Sequence, residues 1–306
     1  MWRTPEFVEF IAPARALPAF WRIAAALVTG FLFQIFAAVF VIGIIGVLVE
    51  GGSTAGAEPN GISDYFDMMS RGDTPFAVAL VLGSFFASIG AVVIMAAWHN
   101  RRVETLFGPR RNFGLYFAKG ALVVVGLYAI FALCGLISNA PPYVPNLPFA
   151  TWLPHMLWAL PLLMVQVGSE ELMFRGYLQQ QLAVRFSHPF VWMVLPSVLF
   201  GLLHYDATYA SPAVTWGYVF WAGVFGLLAA DLTRVTGNLG AAIGFHFANN
   251  FFAIMVYGVP DDLGGVALYH YPFGKADIGF SLVWTLRDML YLFVSWAALR
   301  LWLRPS

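Results

Sequence analysis

The sequence predicts an all-α membrane protein in which about eight helices cross a lipid bilayer and pack as a bundle. Three observations lead to this prediction: an excess of apolar residues, a shortage of charge, and repeated apolar stretches of bilayer-spanning length. Of the 306 residues, 60% are hydrophobic and only 10% are charged, whereas a soluble domain carries roughly 25% charged residues. The 16 basic residues balance the 16 acidic ones, so the chain lacks the positive charge that nucleic-acid binding requires.

Eight apolar stretches approach the roughly 20 residues that a helix needs to cross the hydrocarbon of a bilayer. Polar, glycine-rich or proline-rich segments separate them, and the longest of these segments, residues 50–75, is predicted to be a glycine-rich connection. The first stretch is too long for the core of a secretory signal and is therefore interpreted as an uncleaved anchor. The eight stretches are residues 23–49, 76–98, 113–137, 152 to at least 167, 189–203, 213–230, 239–257 and 280–303.

The positions of lysine and arginine predict the orientation of the bundle, because basic residues near span ends stay on the cytoplasmic side. Most of the 16 basic residues fall on one side when the N-terminus is cytoplasmic. Arg71 and Lys275 fall on the other side, and Arg287 lies within the last span. We therefore expect a multi-pass protein of the cell's inner (plasma) membrane, with both termini in the cytoplasm.

Ionisable residues at the end of the fourth apolar stretch form the first candidate functional cluster, in the segment GSEELMFRGY. Glu171 and Arg175 are four residues apart on one helical face and are predicted to form an ion pair. Glu170 is rotated by about 100° from that face, which leaves its carboxylate free. The alternative is that these are ordinary charges at the cytoplasmic end of a helix.

Two histidines mark the second and third clusters. His204 ends the fifth stretch in the segment FGLLHYD, and alone it is more typical of a hydrogen-bonded structural residue than of a ligand or base. His246 and Asn250 lie one turn apart on one face of the seventh stretch. A histidine and an amide inside a membrane helix need an interior partner or a water-filled cavity, although an interhelical pair that only aids packing is an equal alternative.

Helical geometry predicts that these clusters meet. If the chain turns near Ser187, Glu170 and His204 both lie roughly 25 Å from the turn, at matching heights on antiparallel neighbours. A continuous helix over residues 152–186 would be about 50 Å long, which exceeds a hydrocarbon core of about 30 Å. The helix therefore either tilts and overhangs the bilayer or breaks near Gly168.

A free carboxylate, two histidines and an amide suit the hydrolysis of a peptide bond. Glu170 can take a proton from an attacking water that His204 helps to hold, and His246 and Asn250 can donate hydrogen bonds to the developing oxyanion. Glu171 and Arg175 would hold the helix in register. In the alternative chemistry Glu170, His204 and His246 hold a zinc ion whose bound water is the nucleophile; the sequence contains no HExxH motif.

Three segments, EELMFRGYLQQQL, LPSVLFGLLHY and TGNLGAAIGFHFANN, resemble the EExxxR, FxxxH and HxxxN motifs of the CAAX prenyl protease and bacteriocin-processing (CPBP or Abi) family of intramembrane endopeptidases. The resemblance covers roughly residues 160–255, with the motifs in the family's order. It implies an eight-helix protease in which Glu170 activates water, His204 assists, and His246 and Asn250 stabilise the oxyanion or help to bind a metal. Glu171, Arg175 and Phe200 match the remaining motif positions and are expected to support the site.

The resemblance leaves the cofactor open, since the family has been described both as metal-dependent, with Zn²⁺, and as a metal-free glutamate protease. It implies two partners, the lipid bilayer and a membrane-associated peptide or protein substrate, prenylated or of the leader type. The alternatives are a catalytically idle scaffold or bacteriocin self-immunity protein, and a transporter, which is disfavoured because no repeat symmetry occurs. We divide the chain into N-terminal helices (1–150), a CAAX-protease-like core (151–258) and a loop with the last helix (259–306).

Overall fold

The computed structural model describes residues 3–50, 62–138, 143–277 and 282–303. These residues are mainly helical, which confirms the all-α prediction. The first four helices are α1 (Pro5–Ile11), α2 (Phe20–Glu50), α3 (Ile62–Arg71) and α4 (Pro75–Ala97). The later helices are α5 (Phe113–Ser138), α6 (Phe149–Ala183), α7 (Phe190–Leu202), α8 (Pro212–Thr236), α9 (Gly240–Val256) and α10 (Leu282–Trp302).

All eight predicted spans coincide with helices, but the count of eight membrane crossings is not confirmed. Among the described residues, five helices are long and apolar enough to cross a bilayer, namely α2, α4, α5, α6 and α8. Helices α7 and α9 are apolar but shorter. Helix α10 has 21 residues, carries Arg287, Asp288 and Arg300, and falls outside that set; the predicted start of its span, Phe280, lies outside the described residues. The protein is a multi-pass membrane protein.

The helices that carry the three motifs pack side by side. Helix α9 packs against α5, α6 and α8. Helix α7 packs against α8 and against the C-terminal part of α6, residues 172–183. Side chains from these helices form one continuous apolar core, which includes Leu163, Phe174, Phe200, Phe225 and Phe245. The antiparallel pairing of α6 and α7, with the turn at residues 184–189, agrees with the turn predicted near Ser187.

Helices α5 and α9 lie very close together. A Cβ atom added to Gly244 would overlap the backbone of Phe117. We expect Gly244→Leu to force the two helices apart and to lower the free energy of unfolding by about 1–3 kcal/mol, the usual cost of overpacking. Thermal unfolding in detergent, followed by tryptophan fluorescence, measures the effect.

A matched control for Gly244→Leu is available on α5. Gly126 has nothing within 4 Å of the position where its Cβ would lie, so Gly126→Leu should leave the melting temperature nearly unchanged. Equal melting temperatures for the two variants would contradict the assigned packing of α5 against α9.

Short elements at one end of the bundle form a structure that we call the cap, made of α3, strand β1 (Val144–Pro145) and residues 257–277. The cap includes β2 (Tyr257–Gly258) and β3 (Tyr269–His270); β3 pairs antiparallel with β1 and parallel with β2. The Gly265 N–H donates to the Gly72 carbonyl at 2.9 Å, which ties the end of α3 to the rest of the cap. The sequence prediction missed α3 and these strands, because two-residue strands are too short to show an alternating pattern.

Candidate active site

Helix α6 carries the first motif through an irregular stretch. The helix continues past Gly168 without a break, so the predicted interruption does not occur, and residues Leu172–Gln179 are wound as π-helix. The π-helical stretch begins directly after Glu171 and contains Arg175. Short π-helical segments inside α-helices are frequent at functional sites. The length of α6, 35 residues, means that it must tilt or overhang a bilayer.

The far end of this π-helical stretch is anchored to the loop after α4. The Tyr177 hydroxyl donates to His99 Nε2 at 2.9 Å, and His99 Nδ1 donates to the Leu17 carbonyl at 3.2 Å. Burial lowers the pKa of His99, against the opposing effect of the Leu17 hydrogen bond, and nearby arginines lower the pKa further. His99 is therefore a neutral imidazole at neutral pH, which allows one ring nitrogen to donate and the other to accept.

The predicted ion pair forms and includes a third group. Arg175 Nη1 donates to Glu171 Oε1 at 2.9 Å, and His246 Nδ1 lies 2.9 Å from the same oxygen. The three side chains are almost fully buried, with exposed fractions of 2%, 0% and 4% respectively. Because an ionised carboxylate only accepts hydrogen bonds, the proton between His246 and Glu171 belongs to Nδ1. The contact fixes both the tautomer and the orientation of the His246 ring.

Glu170 lies beside the other nitrogen of the same ring. Its Oε2 atom is 3.6 Å from His246 Nε2, and it is buried without a hydrogen-bond partner among the described residues. Asn250 Nδ2 donates to His246 Nε2 at 3.2 Å and to Gln166 Oε1 at 3.1 Å. The structure therefore brings Glu170, Glu171, Arg175, His246 and Asn250 together, and it leaves one carboxylate oxygen of Glu170 free to accept a proton.

The side chain of Phe200 links His204 to this cluster. The Phe200 ring contacts the His204 ring at 4.7 Å and the His246 ring at 6.0 Å between centroids, and the Arg175 guanidinium lies over it at 4.7 Å. His204 Nδ1 donates to the Phe200 carbonyl at 2.9 Å, which leaves Nε2 available. Among the described contacts, no hydrogen bond or ion pair joins Glu170 to His204. The two residues are linked indirectly, because Glu170 lies beside His246 and the Phe200 ring contacts both imidazoles.

The side chains do not fit the three-ligand zinc site that was one of the two predicted alternatives. Among the described residues, no three His, Cys, Asp or Glu side chains converge closely enough to hold a metal ion. Glu170, His204 and His246 are thus not arranged as a common ligand set in the described part of the chain.

Two contributors to the site were absent from the sequence prediction. Gln166 precedes Glu170 by four residues and therefore shares its helical face, a spacing that points to its contact with Asn250. Phe225 of α8 packs edge-on against the His246 ring, with 4.8 Å between centroids. Nothing in the local sequence distinguishes Phe225 from the other phenylalanines of the core.

Part of the chain is similar to known proteins. Residues 151–252 match the family model described as type II CAAX prenyl endopeptidase Rce1-like. The chain is also 37% identical over 101 residues to the uncharacterized protein YyaK of Bacillus subtilis (strain 168). That alignment covers 32% of each protein, so the chain matches about a third of the length of this curated relative. No solved structure matches the chain.

The matched residues include every member of the cluster around His246, from Gln166 to Asn250, together with His204 and Phe200. The match confirms the resemblance to the CPBP family that the three motifs indicated. Residues 151–252 are thus similar to the Rce1-like family of type II CAAX prenyl endopeptidases.

Proposed function

We propose that the protein is an intramembrane endopeptidase that hydrolyses peptide bonds of membrane-associated substrates with a water activated by Glu170. The observation that carries this proposal is the free Oε2 atom of Glu170, 3.6 Å from His246 Nε2. Its neighbour Glu171 is neutralised by Arg175 and His246. Two adjacent carboxylates thus have different environments, and the unpaired one is suited to proton transfer.

Glu170 acts as general base and then as general acid. It takes a proton from the water while the water oxygen bonds to the carbonyl carbon and the carbonyl electron pair moves to oxygen. When the tetrahedral intermediate collapses, the C–N bond breaks and Glu170 gives the proton to the leaving amine. His204 holds the water through Nε2, because its Nδ1 proton is donated to the Phe200 carbonyl.

His246 and Asn250 stabilise the oxyanion. In the structure, the Asn250 amide donates to Gln166 Oε1 and to His246 Nε2. The substrate oxygen takes the place of one of these acceptors, and His246 holds the amide in position beside it. Arg175 and Phe200 hold Glu171 and the imidazoles in place.

The proposal includes a location and a substrate class. The protein lies in the cell's inner (plasma) membrane with both termini cytoplasmic, and its catalytic part is the core of residues 151–258. Its partners are the lipid bilayer and a membrane-associated peptide, prenylated or of the leader type, and not a nucleic acid. Because no metal-holding set is formed by the described side chains, every proposed step is carried by the protein's own residues.

The test is cleavage of a peptide panel by detergent-purified protein. The panel contains a farnesylated peptide, the same peptide on a transmembrane anchor, and a leader-type peptide. In ¹⁸O-labelled water we expect two fragments, with one labelled oxygen in the new carboxyl group, and activity that persists with chelator. Glu170→Gln serves as the control for contaminating proteases. If a folded wild type cleaves none of these peptides, the idle scaffold or self-immunity alternative is favoured.

A further inference from the structure

Lys275 is a buried charge that the proposed reaction does not use. It is one of two lysines in the chain, it lies in the cap, and its side chain is only 8% exposed. A buried ammonium group is costly unless it is paired and hydrogen-bonded. Its partners therefore indicate what the residue is for.

The Lys275 ammonium joins three separate parts of the chain. Its Nζ atom lies 3.0 Å from Asp206 Oδ2 and 3.7 Å from Asp262 Oδ1, and it donates to the Ser70 carbonyl at 3.1 Å. Asp206 belongs to the loop after α7. Asp262 and Ser70 belong to two different parts of the cap, namely residues 257–277 and the end of α3. The Tyr209 hydroxyl adds a fourth contact by donating to Asp262 Oδ2 at 2.7 Å.

The backbone of Lys275 strengthens the same connection. Its N–H donates to Asp261 Oδ1 at 2.6 Å, and its carbonyl accepts a hydrogen bond from the Ala210 N–H at 3.3 Å. Both the side chain and the main chain of Lys275 thus hold the loop of residues 203–211 against the cap.

His204 is the second residue of that loop. Asp206 is two residues further on, and its carbonyl accepts a hydrogen bond from Thr215 Oγ1 of α8 at 2.9 Å. The Tyr218 ring contacts the His204 ring at 5.9 Å and the Tyr209 ring at 5.8 Å between centroids. The ion pairs of Lys275 are therefore connected to the imidazole of His204 through a short run of chain and through packed rings.

We propose that Lys275 is a positioning residue for His204: by clamping Asp206 and Asp262 together, it fixes the loop that aims the imidazole at the catalytic water. This inference rests on the proposed function. A flexible apolar side chain at residue 275 would leave two carboxylates without their common cation and free the loop, whereas an arginine would preserve the charge.

The experiment compares Lys275→Met and Lys275→Arg with the wild type. Lys119→Met is the matched control, because Lys119 lies far from the cap: its ammonium donates to the Trp302 carbonyl at 3.2 Å and lies 5.3 Å from the centroid of the Trp302 ring. Hydrogen exchange of residues 203–211 in the detergent-purified protein reports on the clamp without any substrate, and peptide cleavage gives kcat and KM separately.

We expect Lys275→Met to speed amide exchange in residues 203–211 and to lower kcat by roughly tenfold to a hundredfold, since small misplacement of a catalytic group is costly. KM should change little, Lys275→Arg should recover most of kcat, and Lys119→Met should behave like the wild type. If Lys275→Met does not fold, Asp206→Asn gives the same two readouts.

Unchanged exchange in a folded Lys275→Met variant overturns the clamp. Faster exchange with an unchanged kcat overturns the positioning role, because the loop would then be free without consequence for His204. A wild type that cleaves nothing overturns the proposed function, and the positioning role falls with it, while the exchange result still decides whether the clamp exists.

Discussion

Glu170→Gln is expected to lower kcat for peptide cleavage by about 10²–10⁴-fold, the usual contribution of a general base. The amide has the shape of the carboxylate but cannot take a proton from water. Because Glu170 Oε2 has no hydrogen-bond partner among the described residues, the substitution should break no hydrogen bond of that atom. The measurement is steady-state cleavage of the peptide that the wild type prefers, with size-exclusion profile and melting temperature recorded in parallel.

Glu104→Gln is the matched control for this prediction, since it makes the same chemical change in an exposed carboxylate outside the site, which pairs with Arg102. It should retain the wild-type kcat. Cleavage by Glu170→Gln at a rate close to that of the wild type would show that another group activates the water and would remove the basis of the proposed mechanism.

Arg175→Met is expected to destabilise the folded protein by about 3–5 kcal/mol, the cost of leaving one member of a buried ion pair without its partner. Glu171 is fully buried, and its ionised form would keep only His246 as a partner. The substitution also removes a guanidinium that lies over the Phe200 ring. Thermal unfolding in detergent, or the yield of monodisperse protein, measures the loss.

The double variant Glu171→Gln with Arg175→Met separates stability from function. Removing both charges should restore much of the lost stability, because a neutral buried pair carries little desolvation penalty. Cleavage should remain low, because His246 would lack the carboxylate that fixes its tautomer. A single variant as stable as the wild type, or a double variant with full activity, would contradict the assigned role of the pair.

The local parts of the site follow from helical geometry and could be predicted from the sequence. The Glu171 and Arg175 pair, the shared face of His246 and Asn250, and the free state of Glu170 all depend on spacings of one turn. The contact between His246 and Glu171 joins residues 75 positions apart, and no local pattern specifies it. The same holds for Phe225 and for the anchoring of Tyr177 by His99.

The irregular elements were harder to predict than the spans. Apolar stretches predict helices by length and composition, but the π-helical winding of Leu172–Gln179 arises from tertiary packing and leaves the hydropathy pattern unchanged. Helix α3 was assigned to a connection because its ten residues mix charged and apolar side chains. The clamp around Lys275 depends on the cap and was therefore not foreseen.

The shortness of α7 affects the supply of the second reactant, water. Residues Phe190–Leu202 form a helix only about 20 Å long, against about 30 Å for the hydrocarbon of a bilayer. Side chains on its outer surface, including Leu195, Val198 and Leu202, are exposed and suited to contact acyl chains. His204 is the second residue after this short helix, so either the lipid beside α7 thins or the polar loop dips below the headgroups. In both cases water would reach His204 over a short distance, and the proposed hydrolysis would need no pore through the bundle.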